Sequence, residues 1–258
     1  MSGALLLLPA LSLHSGRLAD PREWQSRLAV APAGIDAAMA DTFGFVGMDG
    51  LVVGGQPLAW QLGLGAGLYM GFLPGGELTF DLVTFDGVFG LPLDLTWGRL
   101  DARLALTHLS AHFADGVRQI DGPLPTDVGP YSREWVELNL GVQVGPVHPY
   151  LSGHVITHSA DGGSGPAFGA GLDAELPRRI SPIGGVWFGA RQEQDWTPAF
   201  SAQVGVGLRT DDPRSDVVPA TLRLMADAYA GPNQAGKLED RVERRIGFLL
   251  GFSRARRG

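Results

Sequence analysis

The sequence predicts an all-β protein, a transmembrane antiparallel β-barrel of twelve strands. Three observations carry that expectation. First, apolar residues alternate with small or polar ones along most of the chain. Successive strand side chains point to opposite faces. Between Trp60 and Phe72 one face therefore holds Trp60, Leu62, Leu64, Ala66, Leu68, Met70 and Phe72, and the other holds Gln61, Gly63, Gly65, Gly67, Tyr69 and Gly71. Second, the apolar faces carry almost no charge. A cationic side chain at the bilayer midplane costs about 2–4 kcal/mol, so the strand arginines and carboxylates need the lumen. Third, no apolar run approaches the roughly 18–20 residues that a membrane helix requires. A helical membrane protein is excluded. A soluble barrel would keep the alternation but invert the faces, with the apolar set in the core.

The strands follow in order. Phe89, Leu91, Leu93, Leu95 and Trp97 face out against Asp94 and Thr96, and Gly98 makes a tight turn. Leu100, Ala102, Leu104 and Leu106 face out against Asp101 and Arg103. Val136, Leu138, Leu140, Val142 and Val144 oppose Glu137, Asn139 and Gln143. After a Gly145-Pro146 turn comes a strand over residues 150–158. Phe168, Ala170, Leu172, Ala174 and Leu176 share the next outer face, and Val186, Phe188 and Ala190 the one after, opposite Arg191 and Glu193. Phe200, Ala202, Val204, Val206 and Leu208 oppose Ser201, Gln203 and Arg209. Leu222, Leu224, Ala226 and Ala228 oppose Arg223, Asp227 and Tyr229, and Ile246, Phe248, Leu250 and Phe252 close the series. This gives ten strands from Leu58 onward. Segments near residues 27–31 and 42–48 bring the number to twelve. Barrels of this kind pair short inner turns with longer outer loops. By that parity residues 115–132, 161–166, 194–198 and 231–241 are outer, and Gly98, 145–148, 178–182 and 210–219 are inner. The lumen then holds mixed charge, a salt-bridged filling and not a single-sign pore.

Composition agrees. The chain has 258 residues, 38 of them glycine, with 45% hydrophobic content. It has no cysteine, which removes disulfides, thiol catalysis and thiolate metal sites. A net charge of -7 argues against a nucleic-acid partner, which wants a basic face. Residues 1–16 read either as a signal remnant, with the apolar run Ala4 to Leu11, or as an extended N-terminus. Residues 17–258 form the barrel.

One strand carries residues suited to chemistry. His108, Ser110 and His112 have the parity of Leu104 and Leu106, so they lie on the exterior near the outer rim. On the next strand Glu134 has the parity of Val136 and points the same way. A serine nucleophile (Ser110), a histidine base (His108) and an acid that orients it (Glu134) form a triad aimed at an outer-leaflet ester. His154 and His158 take lumen parity, and His148 falls at a turn. Asp115, Asp121 and Asp127 in the longest outer loop are candidate calcium ligands, because calcium takes several oxygens.

The His-x-Ser pair at residues 108–110 resembles outer-membrane phospholipase A and the outer-membrane lipid A deacylase, which carry it on an outward-facing strand. Ser132-Arg133-Glu134-Trp135 resembles the Ser-Arg-x-Trp element of the phospholipase, with Glu134 in place of the orienting amide, which would fall on Val136. That resemblance implies a lipid substrate and makes calcium the first ion to consider. A longer resemblance is to an uncharacterised bacterial outer-membrane β-barrel family, a domain of unknown function. Its landmarks are Leu18-Ala19-Asp20-Pro21-Arg22, Gly90-Leu91-Pro92-Leu93, the stretch from His108 to Asp115, Ser132-Arg133-Glu134, and the stretch from Tyr229 to Gly236. It implies a barrel and no particular reaction. Arg245 to Phe252, ending on an aromatic residue, looks like the terminal strand read by the barrel assembly machinery. The sequence therefore leads to a bacterial outer-membrane barrel with a structural or narrow transport or binding role and outer-membrane lipids as partners. The alternative is a lipid-acyl hydrolase.

Overall fold

The computed structural model describes residues 5–6, 10–11, 13, 16–75, 79–119, 131–176, 178–209 and 220–254. Twelve antiparallel strands close into a barrel, as expected. They are β1 (Ser26–Ala31), β2 (Gly34–Val53), β3 (Gln56–Pro74), β4 (Phe80–Trp97), β5 (Leu100–Phe113) and β6 (Tyr131–Val142). The second half comprises β7 (Val147–Ser159), β8 (Gly165–Glu175), β9 (Ile180–Arg191), β10 (Ala199–Arg209), β11 (Ala220–Pro232) and β12 (Val242–Arg254). Each strand pairs with its neighbours in sequence, and β12 closes the ring on β1 through Phe248↔Val30 to Phe252↔Ser26. At one inner turn Gly54 and Gly55 both take positive φ, 59° and 76°. A two-residue hairpin needs that conformation to match strand twist, and it favours glycine.

The faces settle which way the barrel is turned. Leu64, Phe89, Leu106, Leu138, Phe168, Val204 and Leu224 are exposed on the exterior. Inside, Asp94, Arg103, Asn139, Gln203, Arg223 and Asp227 are buried. An apolar exterior around a polar interior is the pattern of a membrane barrel, not of a soluble one. Arg103 is held by Asp94 through two contacts of 2.6 and 3.0 Å, as the mixed-sign lumen predicts.

Three expectations need correction or extension. His158 is not in the lumen. β6 and β7 slip register between Glu134 and Trp135, so Glu134 faces His158 while Trp135 faces Ile156. Thr157 is the extra residue, and such a bulge reverses the parity beyond it. His148 is not a turn residue. It lies on β7, buried, with Nε2 2.7 Å from Asp101 Oδ2.

The third difference is the largest. Residues 16–25 precede the first strand and run through the lumen. Arg17 is 1% exposed and donates to Asn139 Oδ1 at 2.5 Å. Its guanidinium lies 4.8 Å from the Tyr150 ring centroid. The Leu18 amide donates to Asp173 at 3.0 Å, and Arg223 donates to Gln25 at 2.8 Å. Leu18 packs with Ala29, Ile183, Met225 and Leu249 in an apolar cluster inside the barrel. The Trp24 ring occupies the hollow left by Gly65 and Gly90. This plug touches β1, β3 to β9, β11 and β12, and so crosses the bore. Upstream, Leu5–Leu6 and Ala10–Leu11 make two short bridges to β2, along an edge that six-residue β1 does not reach.

Candidate functional site

Two places in the barrel have the makings of a site. The first is the exterior patch at the outer end of β5 and β6. Strand alternation puts His108, Ser110 and His112 on one outward face, and the register sets His108 against Glu134 and Ser110 against Ser132. All these side chains are part-exposed or exposed. His108 Nδ1 lies 3.0 Å from Glu134 Oε1, so the expected histidine–acid contact is present. Ser110 Oγ, however, lies 3.0 Å from His112 Nε2. The single triad drawn from the sequence is thus two pairs, Ser110–His112 and His108–Glu134. Alternation on one strand brings Ser110 equally near both histidines, and spacing alone does not choose between them. The His112 ring lies 5.7 Å from Phe85. The bulge at Thr157 adds His158 beside Glu134, a neighbour that parity counting missed.

The second place is a chamber of about 370 Å³ in the upper lumen. The plug forms its floor, with Arg22, Glu23 and Trp24 lining it. Its walls include Val88, Leu109, Trp135 and His154. The Trp135 and His154 rings lie 5.6 Å apart, so His154 takes the lumen position expected of it. The loop between β11 and β12 folds down as a roof. The Gly236 amide donates to Asp86 Oδ2 at 2.8 Å, and Tyr131 Oη donates to Glu239 at 2.9 Å. Arg133, inward on β6, gathers three outer segments at once. It reaches Asp161 at 2.7 Å, Glu193 at 2.5 Å and Glu239 at 2.6 Å. Desolvation raises the Asp161 pKa, but hydrogen bonds from Arg133 and Ser159 outweigh it and hold the carboxyl at about 2. Burial pushes Glu239 up, and the Arg133 charge pulls it part of the way back.

Arg22 stands apart. Its buried Nε and Nη2 have no hydrogen-bond partner. Sequence reasoning assigned it no role, although it ends the stretch Leu18-Ala19-Asp20-Pro21-Arg22. A signal was present in the inward glycines of β3, Gly63, Gly65, Gly67 and Gly71, which leave a hollow that something else must fill.

Of the calcium candidates, Asp115 begins a short 3-10 turn (Asp115–Gln119), while Asp121 and Asp127 lie outside the described residues. Among the described residues no three His, Cys, Asp or Glu side chains are grouped to hold a metal. No protein-family model matches the chain, and no curated protein matches it.

Proposed function

We propose that the protein sits in a bacterial outer membrane, delivered there by the assembly machinery through its aromatic-ended β12, and that it works as a binding barrel and not as an open pore. One observation carries this reading: the upper chamber has the plug beneath it and the 233–241 loop above it. Pockets of about 300–1,000 Å³ with apolar walls and a few polar groups are typical ligand sites. The test is planar-bilayer recording of the full-length protein, folded and heat-modifiable. Silent traces are expected, and steady conductance steps would sink the reading.

A second reading has its own observation, the two 3.0 Å pairs on the exterior. In a lipid-acyl hydrolase His112 would take the Ser110 proton as Oγ attacks an ester carbonyl of an outer-leaflet lipid. The alcohol departs with that proton, and water then releases the fatty acid from Ser110. Glu134 orients His108 beside them. The assay is fatty-acid release from phospholipid and lipid A, with and without calcium, against Ser110→Ala. Release that vanishes in the variant supports hydrolysis, and none from folded protein rejects it.

A further inference from the structure

The chamber has a weak place in its side wall. β12 hydrogen-bonds to β1 only from Phe248 to Phe252. Above that, residues 242–246 pair with β11 on one side. On the other side no described strand meets them, because β1 has already turned back through Pro32 and Ala33 into β2. The wall there is a low rim, Ala31-Pro32-Ala33-Gly34, beside a tall strand. Ala33, Gly34, Val242 and Arg244 all line the chamber, so the notch and the chamber are continuous.

The chemistry on the two sides of the notch differs. Outside, Ile246 and Phe248 are 78% and 72% exposed, the two most exposed large apolar side chains described. They face the acyl layer of a membrane. Inside, Arg245 spans the gap below the rim, paired with Asp36 of β2, with Glu243 at 2.9 Å and with Asp227 at 3.1 Å. Its charge is satisfied. The Arg22 guanidinium, deeper in the same chamber, has unpartnered nitrogens. Buried donors without acceptors are costly, more so when charged, and an anionic oxygen would supply what is missing.

We infer that the chamber takes a single-chain anionic amphiphile from the outer leaflet, through the notch between β12 and the β1–β2 hairpin. Its carboxylate or phosphate pairs with Arg22, and its acyl chain lies along Trp24, Val88 and Leu109. This inference rests on the binding-barrel reading and names both its ligand class and its route.

The experiment uses the full-length protein in neutral phosphatidylcholine nanodiscs. Probes are a fluorescent long-chain fatty acid, with lysophosphatidate, acetate and inorganic phosphate as competitors. The fatty acid is expected to bind, and lysophosphatidate to displace it, while acetate and phosphate at equal concentration do not. Displacement by acetate or phosphate would make the ligand a free anion and overturn the amphiphile. Arg22→Gln should weaken binding tenfold or more, and Arg22→Lys, as a folding control, should keep it within a few-fold. Unchanged affinity in Arg22→Gln overturns the role of Arg22. Ala33→Trp, which crowds the rim at an exposed turn, should slow association at least fivefold. An unchanged association rate overturns the lateral route alone. No binding of any probe to the native protein would instead overturn the binding-barrel reading itself.

Discussion

At the scale of single residues, the plug and the exterior pairs make separate demands. A Cβ built on Gly65 would lie 1.1 Å from Cζ3 of Trp24, so the glycine is the space the indole occupies. Gly65→Val should cost about 1–3 kcal/mol by overpacking and should shift tryptophan emission as Trp24 is pushed out. Gly153→Ala meets only ordinary contacts, the nearest at 3.4 Å, and should leave the unfolding midpoint in place. On the exterior, the 3.0 Å contact assigns the serine to His112. If fatty acid is released, His112→Ala should lose as much rate as Ser110→Ala, on the order of 10²–10⁴-fold for a general base. His108→Ala should lose less. The reverse order, measured in the same assay, would return the base to His108. The sequence identified the residue types and their shared face here. It was silent on which imidazole the hydroxyl meets, because both lie two residues away on the same strand.

At the scale of elements, Arg133 ties the roof to the wall. It is buried, and three carboxylates from three outer segments converge on it. Removing one partner of a buried ionic group strands the others, at about 3–5 kcal/mol. Arg133→Met should therefore free the 233–241 loop, read as new trypsin cleavage at Lys237. The same cluster gives a pH dependence. Asp161 has a folded pKa near 2, depressed below its ordinary 3.8. A depressed carboxyl contributes stability that is full above its unfolded value and lost as pH falls through the folded one. The 160–164 loop should hold at pH 5 and loosen between about pH 4 and 2. Hydrogen exchange of its amides, corrected for intrinsic rate, checks this, and protection unchanged down to pH 2 would contradict it. Asp161 was legible as an outer-loop residue. Its partner was hidden, because the alternation shows only that Arg133 points opposite to Glu134 and says nothing of the loops folded over it. The bulge at Thr157 was hidden for a related reason. A register slip is decided by the pairing of two strands, and the alternation of one strand carries no trace of it.

At the scale of the whole molecule, the barrel itself was written in the period-two alternation. Lipid on one side and a wet lumen on the other leave each strand position with a single permitted character. The even strand count and the loop parity followed from the same constraint. The contents of the lumen obey no such rule. The inward glycines of β3 announced a vacancy, but the filler comes from residues 16–25, which have neither strand period nor apolar face. Their identity depends on partners scattered from Ala29 to Leu249, contacts that become neighbours only when the ring closes. The proposed seal rests on those contacts, and removing them tests it. Arg17→Gly with Trp24→Gly removes the two largest groups bridging the plug to the wall, while leaving every strand intact. The native protein should be silent in planar bilayers, and the double variant should give brief, irregular openings. If the double variant is equally silent, adding Arg133→Met to it tests the roof. Openings that appear only then would locate the seal in the 233–241 loop, with the plug a packing element and not the barrier.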